Sequence, residues 1–120
     1  MKIAISTTGN TLNASMDQRF GRASMFIVWD SDSASFTTVR NDQNMQAAQG
    51  AGIQSARNVA NAGVNAVITG HCGPKAFRAL SAAGIAVYNC AAATVAQALD
   101  MYNAGELTQA STADVEGHWV

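Results

Sequence analysis

The loop Gly70-His71-Cys72-Gly73-Pro74 sets an imidazole beside a thiol between glycines, and the chain's other cysteine, Cys90, follows the next apolar run. Nitrogen and sulfur donors of this kind suit soft or borderline transition metals, which makes Cys72 and His71 the candidate metal ligands. Consecutive side chains diverge in a strand, whereas in a loop both can turn inward, with Cys90 converging on the same metal. The competing reading is that each cysteine is a small buried hydrophobe. A second constellation is Gln18-Arg19-Phe20-Gly21-Arg22. Its two guanidinium groups, flanking an aromatic ring and a glycine, can hold an oxyanion or a sulfido-metalate by charge and stacking. Solvated loop arginines are the other reading.

Weaker signals accompany these. Met16 and Met45 can shield a soft cluster or fill gaps, and His118 can bind a metal or stand in solvent. Gly50-Ala51-Gly52 opens a helix in the manner of a weak phosphate site. No paired CxxC, GxGxxG or P-loop occurs, so closed structural zinc, dinucleotide binding and autonomous ATP hydrolysis have no support.

The elements that must position these residues can be read from periodicity. Lys2 to Ser6 alternates as a strand and passes into turn residues Thr7-Thr8-Gly9-Asn10, with a long loop to about Met25. Met25 to Trp29 and Ser35 to Val39 form a hairpin around Asp30-Ser31-Asp32-Ser33. A polar stretch from Asn41 to Gly52 leads to Ile53, Ala56, Val59 and Ala60 at helical spacing, stopped near Gly63. Ala66 to Thr69 is a short buried strand, Pro74 opens a second helix, Ile85 to Tyr88 is the last strand, and Thr94 caps a third helix ending at Ala104-Gly105. This order predicts an α/β fold with a mixed five-stranded sheet and helices on both faces. Residues 1–106 are expected to form one domain, with 107–120 an irregular tail.

Composition narrows the function. With 120 residues and 48% apolar content there is one core's worth of material, rich in Ala and Val and poor in aromatics. The net charge of −1 leaves no broad basic field for nucleic acid. The N-terminal apolar run is too short for a signal-peptide core or a membrane span, so a cytoplasmic protein with no membrane partner is expected. In open α/β sheets ligands gather beyond the carboxyl ends of the strands. Thr8 and Gly9, Gly70 to Gly73, and Asn89 and Cys90 should therefore meet there, and helix N-termini nearby favour an anion.

Five segments in order are similar to one known family: Met1-Lys2-Ile3-Ala4-Ile5, Phe20-Gly21-Arg22-Ala23, Gly50-Ala51-Gly52-Ile53-Gln54, Gly70-His71-Cys72-Gly73-Pro74-Lys75-Ala76-Phe77 and Gly84-Ile85-Ala86-Val87-Tyr88. Together they resemble the dinitrogenase iron-molybdenum cofactor biosynthesis domain over nearly the whole chain. The resemblance implies a ribonuclease-H-like fold and non-catalytic carriage or assembly of a metal-sulfur cluster, a molybdenum-copper or molybdenum-iron sulfide. It marks Phe20-Gly21-Arg22, Gly50 and Gly52, and Gly70 to Pro74 as the ligand rim. The His71-Cys72 pair departs from the ligand-poor pair of many relatives. Expected partners are the cluster and an ATPase or cluster-accepting protein.

Two rivals remain open. One is a cysteine-based redox or phosphoryl-handling enzyme using Cys72 near a helix N-terminus, and the other is a cluster-free interaction module that docks an ATPase. Nuclease activity, suggested by the implied fold, needs clustered carboxylates that Lys2 to Ser6 lacks, and Asp30 and Asp32 are better read as turn formers.

Overall fold

Alternation in the strands and helical spacing after Gly50 produce the expected elements. The computed structural model describes residues 1–41 and 50–111. They form β1 (Lys2–Thr7), β2 (Met25–Asp30), β3 (Ser35–Arg40), α1 (Ala51–Asn61), β4 (Ala66–Thr69), α2 (Pro74–Ala82), β5 (Ala86–Asn89) and α3 (Val95–Asn103). Most of the polar stretch between Asn41 and Gly52, with Met45, lies outside the described residues, as does His118.

The sheet has five strands in the order β3-β2-β1-β4-β5. β3, β2 and β1 pair antiparallel, and β1, β4 and β5 pair parallel. This is the mixed α/β architecture expected, and it is compatible with the ribonuclease-H-like description. Because β2 opposes both its neighbours, β1 and β3 run the same way, and Thr7, Met25 and Arg40 line up across the sheet. The carboxyl edge therefore gathers the ends of β1, β3, β4 and β5. The β3 end was absent from the sequence-based expectation because a hairpin strand does not announce its direction relative to later strands.

Side-chain alternation splits the core in two. Ala4, Val28, Val67 and Val87 face Ala56 and Val59 of α1 and Ala76 and Leu80 of α2. Ile3, Ile5, Ile27 and Ile68 face Val95, Ala98 and Leu99 of α3. The division has a packing reason. Small residues let two helices lie close on one face, while isoleucines fill the other, which α3 covers together with loop residues such as Met16 and Ala92. On that face burial, and then the neighbouring Tyr88, raises the pKa of the Tyr102 hydroxyl, whose ring meets that of Tyr88 edge to face.

The helix ends follow their capping residues. Gly50 precedes α1 at φ 80°, a left-handed conformation that favours glycine. Pro74 stands in the first turn of α2. The Thr94 hydroxyl accepts from the Gln97 N–H at α3, a cap worth about 1 kcal/mol. β5 is shifted one residue from expectation because the Ile85 N–H closes the end of α2 on the Leu80 carbonyl. Beyond Glu106, the Ala110 N–H donates to the Val87 carbonyl at 2.8 Å, and Gln109 bridges Tyr88 antiparallel. Residues 107–111, read from sequence as irregular, thus run beside β5 and cover its open edge.

Candidate functional site

At the carboxyl edge the long loop after β1 is stitched to the loops after β4 and β5. The Met16 N–H donates to the Ala93 carbonyl at 3.0 Å, and the His71 N–H to the Gln18 carbonyl at 2.7 Å. The Phe20 N–H returns to the His71 carbonyl at 3.1 Å, so Arg19 and His71 form a parallel bridge. Gly70 is the residue that permits this approach. A Cβ there would stand 2.7 Å from the Gln18 carbonyl oxygen and 2.8 Å from its Cα.

Below this seam the polar ends of β1 and β4 meet. The Ser6 hydroxyl donates to the Asp17 carbonyl at 2.6 Å and lies 2.8 Å from the Thr69 hydroxyl, both residues being fully buried. The Asn89 side-chain amide donates to the Gly70 carbonyl at 3.1 Å. Sequence reading missed Ser6 and Thr69 as positioning residues, and it named Gln18 only as the first residue of the arginine stretch. The available signal was a small polar residue ending two apolar strands that pair side by side.

A second network fixes the arginine loop from the α1 side. Asn41 is fully buried, and its side-chain amide donates to the Ala23 carbonyl at 2.8 Å and to the Ser55 hydroxyl at 3.0 Å. The Asn58 amide donates to Asn41 Oδ1 at 2.7 Å, and the Ser55 hydroxyl to the Gly21 carbonyl at 3.3 Å. Phe20 anchors the same loop in the core, its ring centroid 5.2 Å from that of Phe26. Arg22 is half-buried between these anchors, and Arg19 is exposed. The anchoring residues Asn41, Ser55 and Asn58 were also missed, because nothing local in sequence ties them to residues 20–23.

The helix ends at this edge are not equivalent. At α3 the Val95 and Ala96 N–H groups donate to the Ala14 and Leu12 carbonyls, so the chain itself occupies the end that was expected to favour an anion. At α2 no acceptor among the described residues meets the N–H groups of Gly73, Lys75 or Ala76. That end keeps its donors and its positive dipole, with Lys75 exposed beside it. Arg40, at the end of β3, adds another exposed cation to the edge. The Asp17 carboxylate accepts from the Arg19 N–H and so is already engaged in a local turn. Asp30 and Asp32 lie at the opposite edge, where Asp32 pairs with the Met1 ammonium group at 3.2 Å.

The cysteines do not meet. Cys72 is 1% exposed within the α1/α2-side core, and Cys90 is 6% exposed within the α3-side core, its sulfur 3.9 Å from that of Met101. The expected convergence of both on one metal is therefore not the arrangement of the fold, which separates them by the sheet. Met16 is also buried on the α3 side. Thr8 is exposed on the rim, Gly9 packs against Ala14, and Gly50 and Gly52 lie at the start of α1. Among the described residues no group of three or more His, Cys, Asp or Glu side chains could hold a metal ion. Both thiols should react with a water-soluble disulfide reagent on the order of a hundredfold more slowly in the folded chain than in urea, as an opening free energy of about 3 kcal/mol implies. Rapid reaction of either thiol in the native chain would contradict its burial.

The family model described as "Dinitrogenase iron-molybdenum cofactor" matches residues 1–105. The chain belongs to this family. The apo form of the orange protein from Desulfovibrio gigas is 36% identical and superposes with a TM-score of 0.92, over 95% of this chain and 96% of that one. A Thermotoga protein named as a candidate NifB is 33% identical, with a TM-score of 0.85 over 97% of this chain and 98% of that one. An uncharacterised protein of Methanocaldococcus jannaschii is 30% identical over 114 residues, 89% of each chain. Family membership gives the chain a cofactor-related role. Among the described residues no helix is long and apolar enough to cross a membrane.

Proposed function

We propose that this chain binds an anionic metal-sulfur cluster as cargo at the carboxyl edge and passes it on, with no reaction of its own. The supporting observation is the stitching of the arginine loop to His71 beside the uncapped N-terminus of α2. Arg19 and Arg22 supply guanidinium donors, the α2 end supplies its dipole, and His71 offers a nitrogen at the seam. A molybdenum-copper or molybdenum-iron sulfide, the cargo implied by the family resemblance, is an anion of this type. Two buried anchors hold the loop in place before any ligand arrives, which lowers the ordering cost of binding. In this reading Cys72 is a packing thiol beneath the rim rather than a ligand. The redox alternative needs an accessible thiol, and both cysteines are buried.

The test is an anaerobic titration of the apo-protein with tetrathiomolybdate, with and without copper, followed by gel filtration, visible absorption and metal analysis. Stoichiometric retained colour is expected, weakening as salt rises. The double variant Arg19→Ala/Arg22→Ala should bind tenfold or more less tightly, about the loss expected for charge-assisted hydrogen bonds. No retention at low salt would overturn the molybdenum-sulfide reading. A partner captured equally well by the apo-protein would favour the interaction-module alternative.

A further inference from the structure

Away from the rim, α1 and α2 leave a groove of about 370 Å³ lined by Ile53, Lys75, Arg78, Ala79 and Ala82. Ile53 is a large apolar side chain left 36% exposed at its edge. We propose that this groove docks an acidic segment of a partner protein that inserts an apolar side chain between its carboxylates.

Charge is the argument for that occupant. α1 and α2 carry Arg57, Lys75 and Arg78 and contain no Asp or Glu, in a chain whose net charge is −1. The described acids lie elsewhere: Asp17 on the rim, Asp30 and Asp32 at the far edge, and Asp100 and Glu106 in and after α3, on the other face. Helical spacing puts Ile53 and Arg57 on one stripe and Lys75 and Arg78 on another, so cations flank an apolar centre. A bilayer surface would instead call for protruding apolar side chains, and a single-stranded nucleic acid for exposed aromatic platforms. The sole aromatic of these helices, Phe77, is packed against the core. An amphipathic acidic segment meets both features of the groove.

Lys75 lines the groove and also stands in the first turn of α2, at the rim. A protein seated in the groove would thus lie beside the rim, where a donor or recipient of cargo has to be. The inference rests on the groove and its charge, so it is tested on the apo-protein without any cluster.

The probe is a peptide of roughly fifteen residues with leucine and glutamate at amphipathic helical spacing, titrated into the isotopically labelled full chain while backbone amide shifts are recorded. Shifts should concentrate in residues 53–57 and 75–82. Replacing the peptide leucines by serine, or introducing Ile53→Asp or Arg78→Glu into the protein, should weaken binding roughly tenfold each. Urea midpoints of both variants verify folding, and either exposed site serves if the other disturbs it. Parallel titrations use phosphatidylserine vesicles and a single-stranded RNA. The proposal is overturned by equal binding of the serine peptide, by shifts outside the groove, or by vesicles or RNA perturbing the groove at lower concentration than the peptide.

Discussion

Gly70→Ala is expected to lower stability by about 2–3 kcal/mol and to detach the arginine loop from the rim. The added Cβ would fall well inside contact distance of the Gln18 backbone. The atoms it meets belong to main chain as well as to a side chain, so a rotamer change alone does not relieve the overlap, and overpacking of this kind costs about 1–3 kcal/mol. Any shift of residues 17–20 also strains the His71-to-Gln18 and Phe20-to-His71 hydrogen bonds that hold the seam. A useful comparison is Gly63→Ala. Gly63 adopts φ +78° with nothing within 4 Å of its virtual Cβ, so that variant bears only the conformational penalty, on the order of 1–2 kcal/mol. Urea denaturation gives the two midpoints, and tetrathiomolybdate retention gives the functional consequence. The expected pattern is lost retention for Gly70→Ala and normal retention for folded Gly63→Ala. A Gly70→Ala protein with a wild-type midpoint would mean that the close approach of loop and strand end is not maintained in solution.

Much of this architecture is written locally. The alternation of Lys2–Thr7, the four-residue buried run Ala66–Thr69, Pro74 in the first turn of α2 and the Thr94 cap each encode an element through side chains close in sequence. The rim was legible in outline for the same reason, since its loops follow strands whose parallel pairing was expected. What was illegible depends on long-range pairing. Whether Cys72 and Cys90 converge is set by which side of the sheet each loop enters, and the fold sends them to opposite cores. That α3 spends its free N–H groups on Leu12 and Ala14 depends on the path of a long loop without periodicity. Gln109 beside Tyr88 is similar, because a single bridge leaves no repeating pattern to read.

Asn41 is the strongest case of a residue that positions the arginine loop with no local signature, and Asn41→Ala should cost about 3–4 kcal/mol. The residue is fully buried and ties β3 to α1 and to the arginine loop through hydrogen bonds to Ala23, Ser55 and Asn58. Truncation leaves the Asn58 amide and the Ala23 carbonyl short of their partner and opens a void, effects that each contribute about 1–3 kcal/mol. Asn58→Ala removes one of these bonds from a half-buried position and should cost about 1 kcal/mol. Ser55 touches both Asn41 and the Gly21 carbonyl, so a double-mutant cycle of Asn41→Ala with Ser55→Ala should show coupling of about 1 kcal/mol rather than additivity. The same contacts hold the backbone on both sides of Arg22. Asn41→Ala at a temperature where it remains folded should therefore retain less tetrathiomolybdate although both arginines are intact. Wild-type retention in that variant would show that tetrathiomolybdate binding does not depend on the buried network.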